Sequence, residues 1–248
     1  MKVSIITATY NSAKTIGDTL ASVAQQSYKN VEHLIIDGGS KDDTIAIVNS
    51  FPHVSRVESG KDEGIYDAMN KGLAIATGDI VGILNSDDMY ASEEILATVV
   101  ETIRATGCDA VYGDLVYVDP DNVSRVRRYW KSGNYKHGAF KWGWMPPHPT
   151  FFVKRSVYEK YGSFRLGLAT ASDYELMLRF IHKQRIAVSY IPRVLVRMRD
   201  GGASNAALMN RLRANRGDRE AWRVNGLSPY WFTLFLKPLR KITQFFLR

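Results

Sequence analysis

Short apolar runs and segments of helical periodicity alternate along the first half of the chain. Apolar runs of strand length lie at 3–11, 31–36 and 80–84, and each ends in polar residues; a further strand is predicted at roughly 54–58. After the first run, Ile16, Leu20 and Val23 recur at the spacing of one helix face. The pattern predicts an α/β fold in which a mostly parallel sheet is flanked by helices.

Acidic side chains follow two of these runs, where a parallel strand would end. Asp87 and Asp88 come after run 80–84, and Asp37 precedes a glycine turn. The carboxyl ends of parallel strands form the ligand-binding edge of an open α/β sheet. Adjacent carboxylates repel each other in a low-dielectric crevice, and a divalent metal carrying a diphosphate would satisfy both. The alternative is a solvated turn that caps a helix beginning near Ser92.

Four ordered motifs carry a resemblance to a known family. They are Thr-Ala-Thr-Tyr-Asn at 7–11, Asp-Gly-Gly-Ser at 37–40, Asp-Glu-Gly-Ile-Tyr-Asp-Ala-Met-Asn-Lys-Gly at 62–72 and Asn-Ser-Asp-Asp at 85–88. With them, roughly the first 200 residues resemble the family-2 glycosyltransferases, which are inverting enzymes of the GT-A fold. The resemblance implies that a sugar moves from a nucleotide-diphospho-sugar donor to an acceptor hydroxyl.

The resemblance also implies roles for individual residues at the strand ends. In the family, the nucleobase and ribose are bound by the end of the first strand and by the Asp after the second strand. Those roles fall here to Thr7, Ala8, Tyr10 and Asp37. The helix predicted after the third strand presents Asp67 and Asn70 one turn apart on one face, and both join the candidate donor-binding residues.

The pair of acids matches the Asp-x-Asp-like metal motif of the family. By resemblance Asp88 would ligate the metal, and Asp87 would contact the ribose or the metal shell. Mg²⁺ or Mn²⁺ can neutralise the charge that develops on the diphosphate while taking few protein ligands. Ser86 stands where many members carry a third Asp, so no ligand beyond Asp88 is assigned.

Two residues of the second half match positions near the acceptor in the family. Asp173 lies at or near the start of a helix marked by apolar Leu176, Met177 and Phe180, and it matches the catalytic base. The alternative for Asp173 is a plain helix cap. His148, on a proline-rich loop, matches an acceptor or pyrophosphate contact, against an ordinary loop histidine.

Charge is distributed very unevenly between the two halves of the 248-residue chain. Residues 1–122 hold 8 Lys and Arg against 19 Asp and Glu, whereas residues 123–248 hold 25 against 6. The basic half could attract nucleic acid, anionic lipid or a phosphorylated acceptor. We predict a catalytic domain at 1–203, with a nucleotide-sugar half at 1–122 and an acceptor half at 123–203, followed by a basic and aromatic extension at 204–248.

The extension suggests contact with a membrane surface. It mixes large aromatic residues with Lys and Arg, and its apolar stretches are too short to span a bilayer. A helix is predicted from about Asn205 to Arg223, and Pro238 is expected to break the segment beyond it. The aromatic residues could instead pack back onto the catalytic domain. The lone Cys108 and the absence of a signal-peptide pattern predict a protein at the cytoplasmic face.

Competing functions fit the residues less well. A nicotinamide-dependent oxidoreductase needs a glycine-rich turn after the first strand, and residues 9–13 contain no glycine. A basic nucleic-acid-binding protein leaves the acidic half without a role and shows no binding motif, so we expect no nucleic acid partner. A nucleotidyltransferase acting on sugar phosphates remains the nearest enzymatic alternative, because it too binds a nucleotide and a metal on an α/β sheet.

Overall fold

The computed structural model describes residues 1–168, 170–201, 208–240 and 244, and in the helix beginning at Leu208 it describes side chains from 216 onward. The strands are β1 (Val3–Thr9), β2 (Val31–Asp37), β3 (Val54–Ser59), β4 (Ile80–Ile83), β5 (Asp88–Tyr90), β6 (Ala110–Val118), β7 (Val126–Trp130), β8 (Phe152–Lys154) and β9 (Val188–Arg199). The helices are α1 (Ile16–Ala24), α2 (Thr44–Asn49), α3 (Ile65–Ile75), α4 (Ile95–Thr106), α5 (Arg155–Tyr161), α6 (Ser172–Met177), α7 (Leu208–Val224) and α8 (Thr233–Leu239). Within these residues the strands form one nine-stranded sheet, in the order β3-β2-β1-β4-β8-β6-β9-β5 with β7 paired to β6.

The first half of the sheet is parallel, as the apolar runs predict. β1 pairs in parallel with both β2 and β4, and β2 pairs with β3. Both faces are covered: Ile6 and Ile36 pack in a cluster with Met69 of α3, whereas Ile35 packs with Leu20 of α1 on the other side. Burial on both faces explains why β1, β2 and β4 read as nearly continuous apolar runs, whereas β3, at the edge of the sheet, is only partly buried.

The second half of the sheet adds antiparallel strands and one long partner. β8 lies between β4 and β6 and runs antiparallel to both. β9 is twelve residues long; it pairs in parallel with β6 and in antiparallel fashion with β5. In the pairing of β9 with β5, Asp88 lies opposite Met198. The position of Asp88 is therefore fixed by two strands: the chain reaches it from β4, and β9, which lies far away in the sequence, pairs with it.

The helix that carries Asp173 is short and buried. Asp173 is the second residue of α6, Ala171 occupies the N-cap position, and the chain continues from α6 into a π-helical turn at Leu178–Lys183. The predicted apolar face is confirmed, since Leu176, Met177 and Phe180 are at most 2% exposed. Asp173 is not the N-cap residue, so the plain-cap interpretation does not apply to it.

Of the C-terminal helices, α7 packs against α6, and α8 packs against α7 and the turn Ala139–Trp142. The predicted helix corresponds to α7, and its expected start at 205–207 and the domain boundary at 203 lie outside the described residues. Trp222 is buried, and its Nε1 donates to the hydroxyl of Tyr174 at 2.9 Å. Pro238 lies inside α8, which ends one residue later. Within the described residues, no helix is long and apolar enough to cross a membrane.

Candidate active site

A fully buried carboxylate begins β5, shortly after the end of β4. Asp88 has no exposed surface, and within the described residues its Oδ1 has no hydrogen-bond partner. The Nδ2 of Asn85 donates to Asp88 Oδ2 at 3.2 Å, whereas the Oδ1 of Asn85 is also buried and has no partner in the part of the chain that the structure describes. Two unsatisfied oxygens of this kind are costly to bury unless a cation or a donor joins them.

The electrostatics of the acid pair fit a cation. Burial, with Asp87 as neighbour, holds the pKa of Asp88 well above its usual range. Burial also raises the pKa of Asp87, although Arg199 and His148 act against that rise. A hard divalent ion would favour the charged forms and would find oxygen ligands at Asp88 and Asn85. Among the described residues no group of three His, Cys, Asp or Glu side chains is placed to hold a metal.

Asp173 and His148 meet beside this pair. The Nδ1 of His148 lies 3.3 Å from Asp173 Oδ2, and its Nε2 lies 3.5 Å from Asn85 Nδ2. These contacts fit a neutral imidazole that donates from Nδ1 and accepts at Nε2. Burial lowers the pKa of His148, against the influence of Asp173 and Asp87, which favours that neutral form. Asp173 and Asp88 are thus linked through His148 and Asn85.

Tyr66 is a site residue to which the sequence analysis gave no role. Its hydroxyl lies 3.3 Å from Asp173 Oδ1 and 3.3 Å from the carbonyl of Thr170. Burial and the Asp173 carboxylate hold the pKa of Tyr66 well above its usual range, so its hydroxyl keeps its proton. The sequence did contain a signal for Tyr66, because this residue lies inside the motif at 62–72.

Arg199 is a second residue that the sequence analysis missed. It is the last residue of β9, it is buried, and its guanidinium donates to the carbonyl of Asp87 at 2.9 Å while pairing with Asp18. No local pattern points to this contact, because Arg199 is brought under Asp87 only by the pairing of β9 with β5.

The Asp37 carboxylate shapes the turn after β2. It accepts from the backbone N–H of Gly39 at 3.1 Å, that of Ser40 at 3.0 Å and the hydroxyl of Ser59 at 2.6 Å. Tyr10, 59% exposed, lies beside this turn. The predicted nucleoside-binding residues Tyr10 and Asp37 therefore lie together at the edge of the sheet.

Thr7 and Ala8, the other two donor-binding residues predicted on β1, have side chains buried inside the fold. The hydroxyl of Thr7 is buried and lies 3.0 Å from His33 Nε2, and Ala8 packs in the core against α3. The structure does not bring these side chains to the edge. By contrast Thr9, at the end of β1, has a buried hydroxyl without a partner among the described residues.

Asp67 and Asn70 make contacts within the protein. The amide of Asn70 exchanges two hydrogen bonds of 2.9 Å with the backbone of Phe164. Asp67 pairs with Lys71 at 3.0 Å and accepts from the backbone N–H of Glu63 at 3.1 Å. Asn70 thereby holds the loop that precedes α6 against α3, and its assignment to the donor stays a prediction.

Comparison with known proteins decides the family. The pattern of Glycosyl transferase family 2 matches residues 4–162, which span the acid pair and His148. The chain belongs to glycosyl transferase family 2. An uncharacterised glycosyltransferase of Mycobacterium tuberculosis (strain CDC 1551) is 33% identical over 179 residues, covering 71% of this chain and 68% of that protein. A PGL/p-HBAD biosynthesis glycosyltransferase of Mycobacterium bovis BCG is 28% identical over 208 residues, covering 82% and 78%.

Solved structures share the fold of this glycosyltransferase. Residues 1–349 of S. aureus TarS in complex with UDP-GlcNAc superpose with a TM-score of 0.69 at 19% identity, covering 91% of this chain and 65% of that one. A mannosyltransferase from Pyrobaculum calidifontis in complex with GDP-Man and Mn²⁺ gives 0.67 at 22% identity, covering 95% and 68%. The chain spans 39% of a longer TarS chain. The predicted GT-A fold is confirmed, and the family excludes a non-enzymatic nucleic-acid-binding protein.

Proposed function

We propose that this enzyme transfers a sugar, with inversion, from a nucleotide-diphospho-sugar to a hydroxyl of a glycan or lipid-linked acceptor, with Mg²⁺ or Mn²⁺ at Asp88. The observation that carries the proposal is the convergence, at one edge of the sheet, of a buried unsatisfied carboxylate and the Asp173–His148 pair. One set of groups suits a diphosphate and its cation, and the other suits a hydroxyl that must lose a proton.

The donor would lie along the edge from Tyr10 and Asp37 to Asp88. Tyr10 offers an exposed ring and the turn after Asp37 offers backbone groups for the nucleoside. Asp88 and Asn85 would hold a divalent cation, which would neutralise charge on the diphosphate leaving group. Structures of fold neighbours with UDP-GlcNAc, or with GDP-Man and Mn²⁺, support a donor and a cation of this class.

Asp173 is the proposed general base. Its Oδ2 takes the proton of the acceptor hydroxyl while the hydroxyl oxygen bonds to the anomeric carbon and the bond from that carbon to the diphosphate breaks. The Nδ1–H of neutral His148 and the hydroxyl of Tyr66 orient the carboxylate. A single displacement turns the anomeric centre over once, so the product has the inverted configuration.

The proposed setting is assembly of surface polysaccharide or glycolipid at the cytoplasmic face of a membrane. The relative named for PGL/p-HBAD biosynthesis supports a role in building glycans. The basic second half of the chain suits an anionic membrane surface as a partner.

A donor screen tests the proposal. UDP-, GDP- and dTDP-sugars are compared by thermal shift with and without Mn²⁺, since a bound donor stabilises the fold by mass action. The donor that binds is then used in a transfer assay with a lipid-linked acceptor, and the anomer is assigned by NMR. We expect metal-dependent transfer with inversion. Full activity in excess EDTA, or a retained anomer, would contradict the proposal.

A further inference from the structure

An exposed aromatic surface lies where the 3₁₀ turn Ala139–Trp142 meets α8. Five of the nine large apolar side chains that are exposed within the described residues belong to it. We call this set the aromatic surface; its members are Trp142, Tyr230, Trp231, Phe235 and Leu239. Trp231 is 85% exposed and Phe235 is 61% exposed. A cluster of large exposed rings indicates an interaction surface, whereas single exposed apolar residues do not.

The aromatic surface is built on a fixed support. The ring of Phe232 lies beneath it, with centroids 5.2 Å from Trp142 and 5.5 Å from Trp231. The hydroxyl of Thr233 donates to the carbonyl of Lys141 at 2.6 Å. Gly143 has a φ of +73°, and a Cβ there would lie 2.5 Å from the backbone N of Lys237. The turn and α8 therefore form one packed unit that presents its rings in a set arrangement.

The chain segments that form this unit are basic. Residues 139–143 and 228–240, which form the unit, contain Lys141, Lys237 and Arg240 and no Asp or Glu. The ammonium of Lys141 lies 4.8 Å from the centre of the Tyr230 ring, within the aromatic surface. Trp and Tyr rings beside cations are typical of the bilayer interface, where rings sit at headgroup level and cations meet anionic lipid.

We propose that the aromatic surface docks onto the anionic headgroup layer of a membrane. The sequence indicated a membrane contact within the extension at 204–248, and the structure adds Trp142 and Lys141 from a distant segment. Lys237 of the extension does not join the aromatic surface, because its ammonium lies 2.7 Å from both oxygens of buried Asp218. Residues 241 and 245–248 of the extension lie outside the described residues.

The docking places a lipid-linked acceptor near the proposed base, and to that extent the inference rests on the proposed function. Trp142 precedes His148 by six residues, and six residues of chain span at most about 22 Å. His148 in turn contacts Asp173. An acceptor whose lipid stays in the bilayer could therefore extend its sugar from the aromatic surface to the site.

Vesicle flotation of the full chain tests the docking. Vesicles of phosphatidylcholine with 30% phosphatidylglycerol are compared with pure phosphatidylcholine at low and high salt. We expect flotation with the anionic vesicles that weakens but persists at high salt. Trp231→Ala with Phe235→Ala should weaken partition at least tenfold, and Lys141→Glu about twentyfold, since each unit of charge near the surface is worth roughly a factor of five.

Matched controls separate docking from loss of fold. Val126→Ala removes an exposed apolar side chain on β7, and Lys29→Glu reverses an exposed charge before β2. Neither should change partition, and every variant should keep the thermal midpoint of the parent chain. Because Lys141→Glu leaves all rings in place, it decides the question even if the double variant fails to fold.

The possible outcomes separate docking from sugar transfer. Flotation that depends on these residues supports docking whether or not any sugar nucleotide is hydrolysed, so failure of the proposed function appears separately. Absence of flotation at low salt overturns the docking. Flotation unchanged in Lys141→Glu also overturns it. Self-association in sedimentation velocity that the double variant abolishes, without flotation, would assign the surface to a second copy of the chain.

Discussion

At the scale of single residues, Asp88 is a carboxylate whose charged form the fold compensates poorly. Burial and Asp87 raise its pKa, and its Oδ1 lacks a partner in the described structure. In Asp88→Asn we expect unchanged or higher stability without metal, because an amide avoids the cost of burying a carboxylate next to Asp87. We also expect loss of the stabilisation by Mn²⁺ and nucleotide and loss of transfer. Asp87→Asn should be severe but less complete, because Asp87 is the less buried of the two.

Thermal melts with and without Mn²⁺ measure the stability of Asp88→Asn and its response to the metal. A transfer assay measures its activity. Asp121→Asn, on an exposed loop, is the matched control and should behave like the parent chain. Wild-type turnover in Asp88→Asn would remove the metal from the mechanism.

Asp173 differs from Asp88 in having partners for both carboxylate oxygens. In Asp173→Asn we expect kcat to fall by about a hundred- to ten-thousandfold, the range typical of losing a general base. Nucleotide affinity should change little, since the contacts of Asp173 are with His148, Tyr66 and the backbone of Tyr174. Steady-state kinetics with donor and acceptor varied separately measure both kcat and the dependence of the rate on donor concentration. An equal loss in donor affinity would instead place Asp173 in the donor site.

At the scale of secondary-structure elements, Glu175 joins α6 to its surroundings. It is fully buried, and it accepts from Arg179 at 3.0 Å and from Asn225, just beyond α7, at 2.9 Å. Glu175→Ala would leave Arg179 buried without its carboxylate, so we expect the free energy of unfolding to fall by about 3–5 kcal/mol. Urea denaturation measures the change.

An exposed pair on α5 supplies the control for Glu175. Glu159 pairs with Arg155 one helical turn away, and both side chains are exposed. Glu159→Ala should cost less than about 1 kcal/mol, because exposed pairs contribute little. A similar small loss in Glu175→Ala would mean that α6 is held by packing of its apolar residues alone.

The elements that the sequence predicted are those set by local pattern. Apolar runs located β1, β2 and β4, and the polar residues after them located the edge where Asp37 and Asp88 lie. Contacts made by pairing of distant strands could not be read in this way. The position of Arg199 under Asp87 depends on the register of β9 with β5, and no local periodicity encodes that register.

Side-chain direction was the other limit of sequence reasoning. The motif at 7–11 marks the right strand end, yet alternation along β1 sends Thr7 toward His33 and Ala8 into the core. The motif at 62–72 shows the same limit. It contains Tyr66, whose hydroxyl contacts Asp173, and Asn70, whose amide instead bonds to the backbone of Phe164. A motif therefore locates a site more reliably than it identifies the side chains that line it.

At the scale of the whole molecule, the C-terminal segment has a packed side and an exposed side. Leu234 is buried, and Lys237 pairs with buried Asp218, whereas Trp231 and Phe235 face outward. Packing onto the domain and binding to a membrane, which the sequence presented as alternatives, are therefore compatible. The two roles fall on different residues of the same segment, so they can be tested separately.

Deletion from Ser228 onward removes both sides, whereas point variants remove only one. We expect the deletion to lower the free energy of unfolding by about 3 kcal/mol or more, because Asp218 loses its partner and the burial of Leu234 is lost. Full-length Trp231→Ala with Phe235→Ala should keep the parent's stability, since both rings face water. Urea denaturation of the three chains measures this difference. A deletion variant as stable as the parent would mean that α8 adds nothing to the fold. The exposed rings would then sit on a loosely held segment, and the fixed arrangement on which the docking proposal relies would be lost.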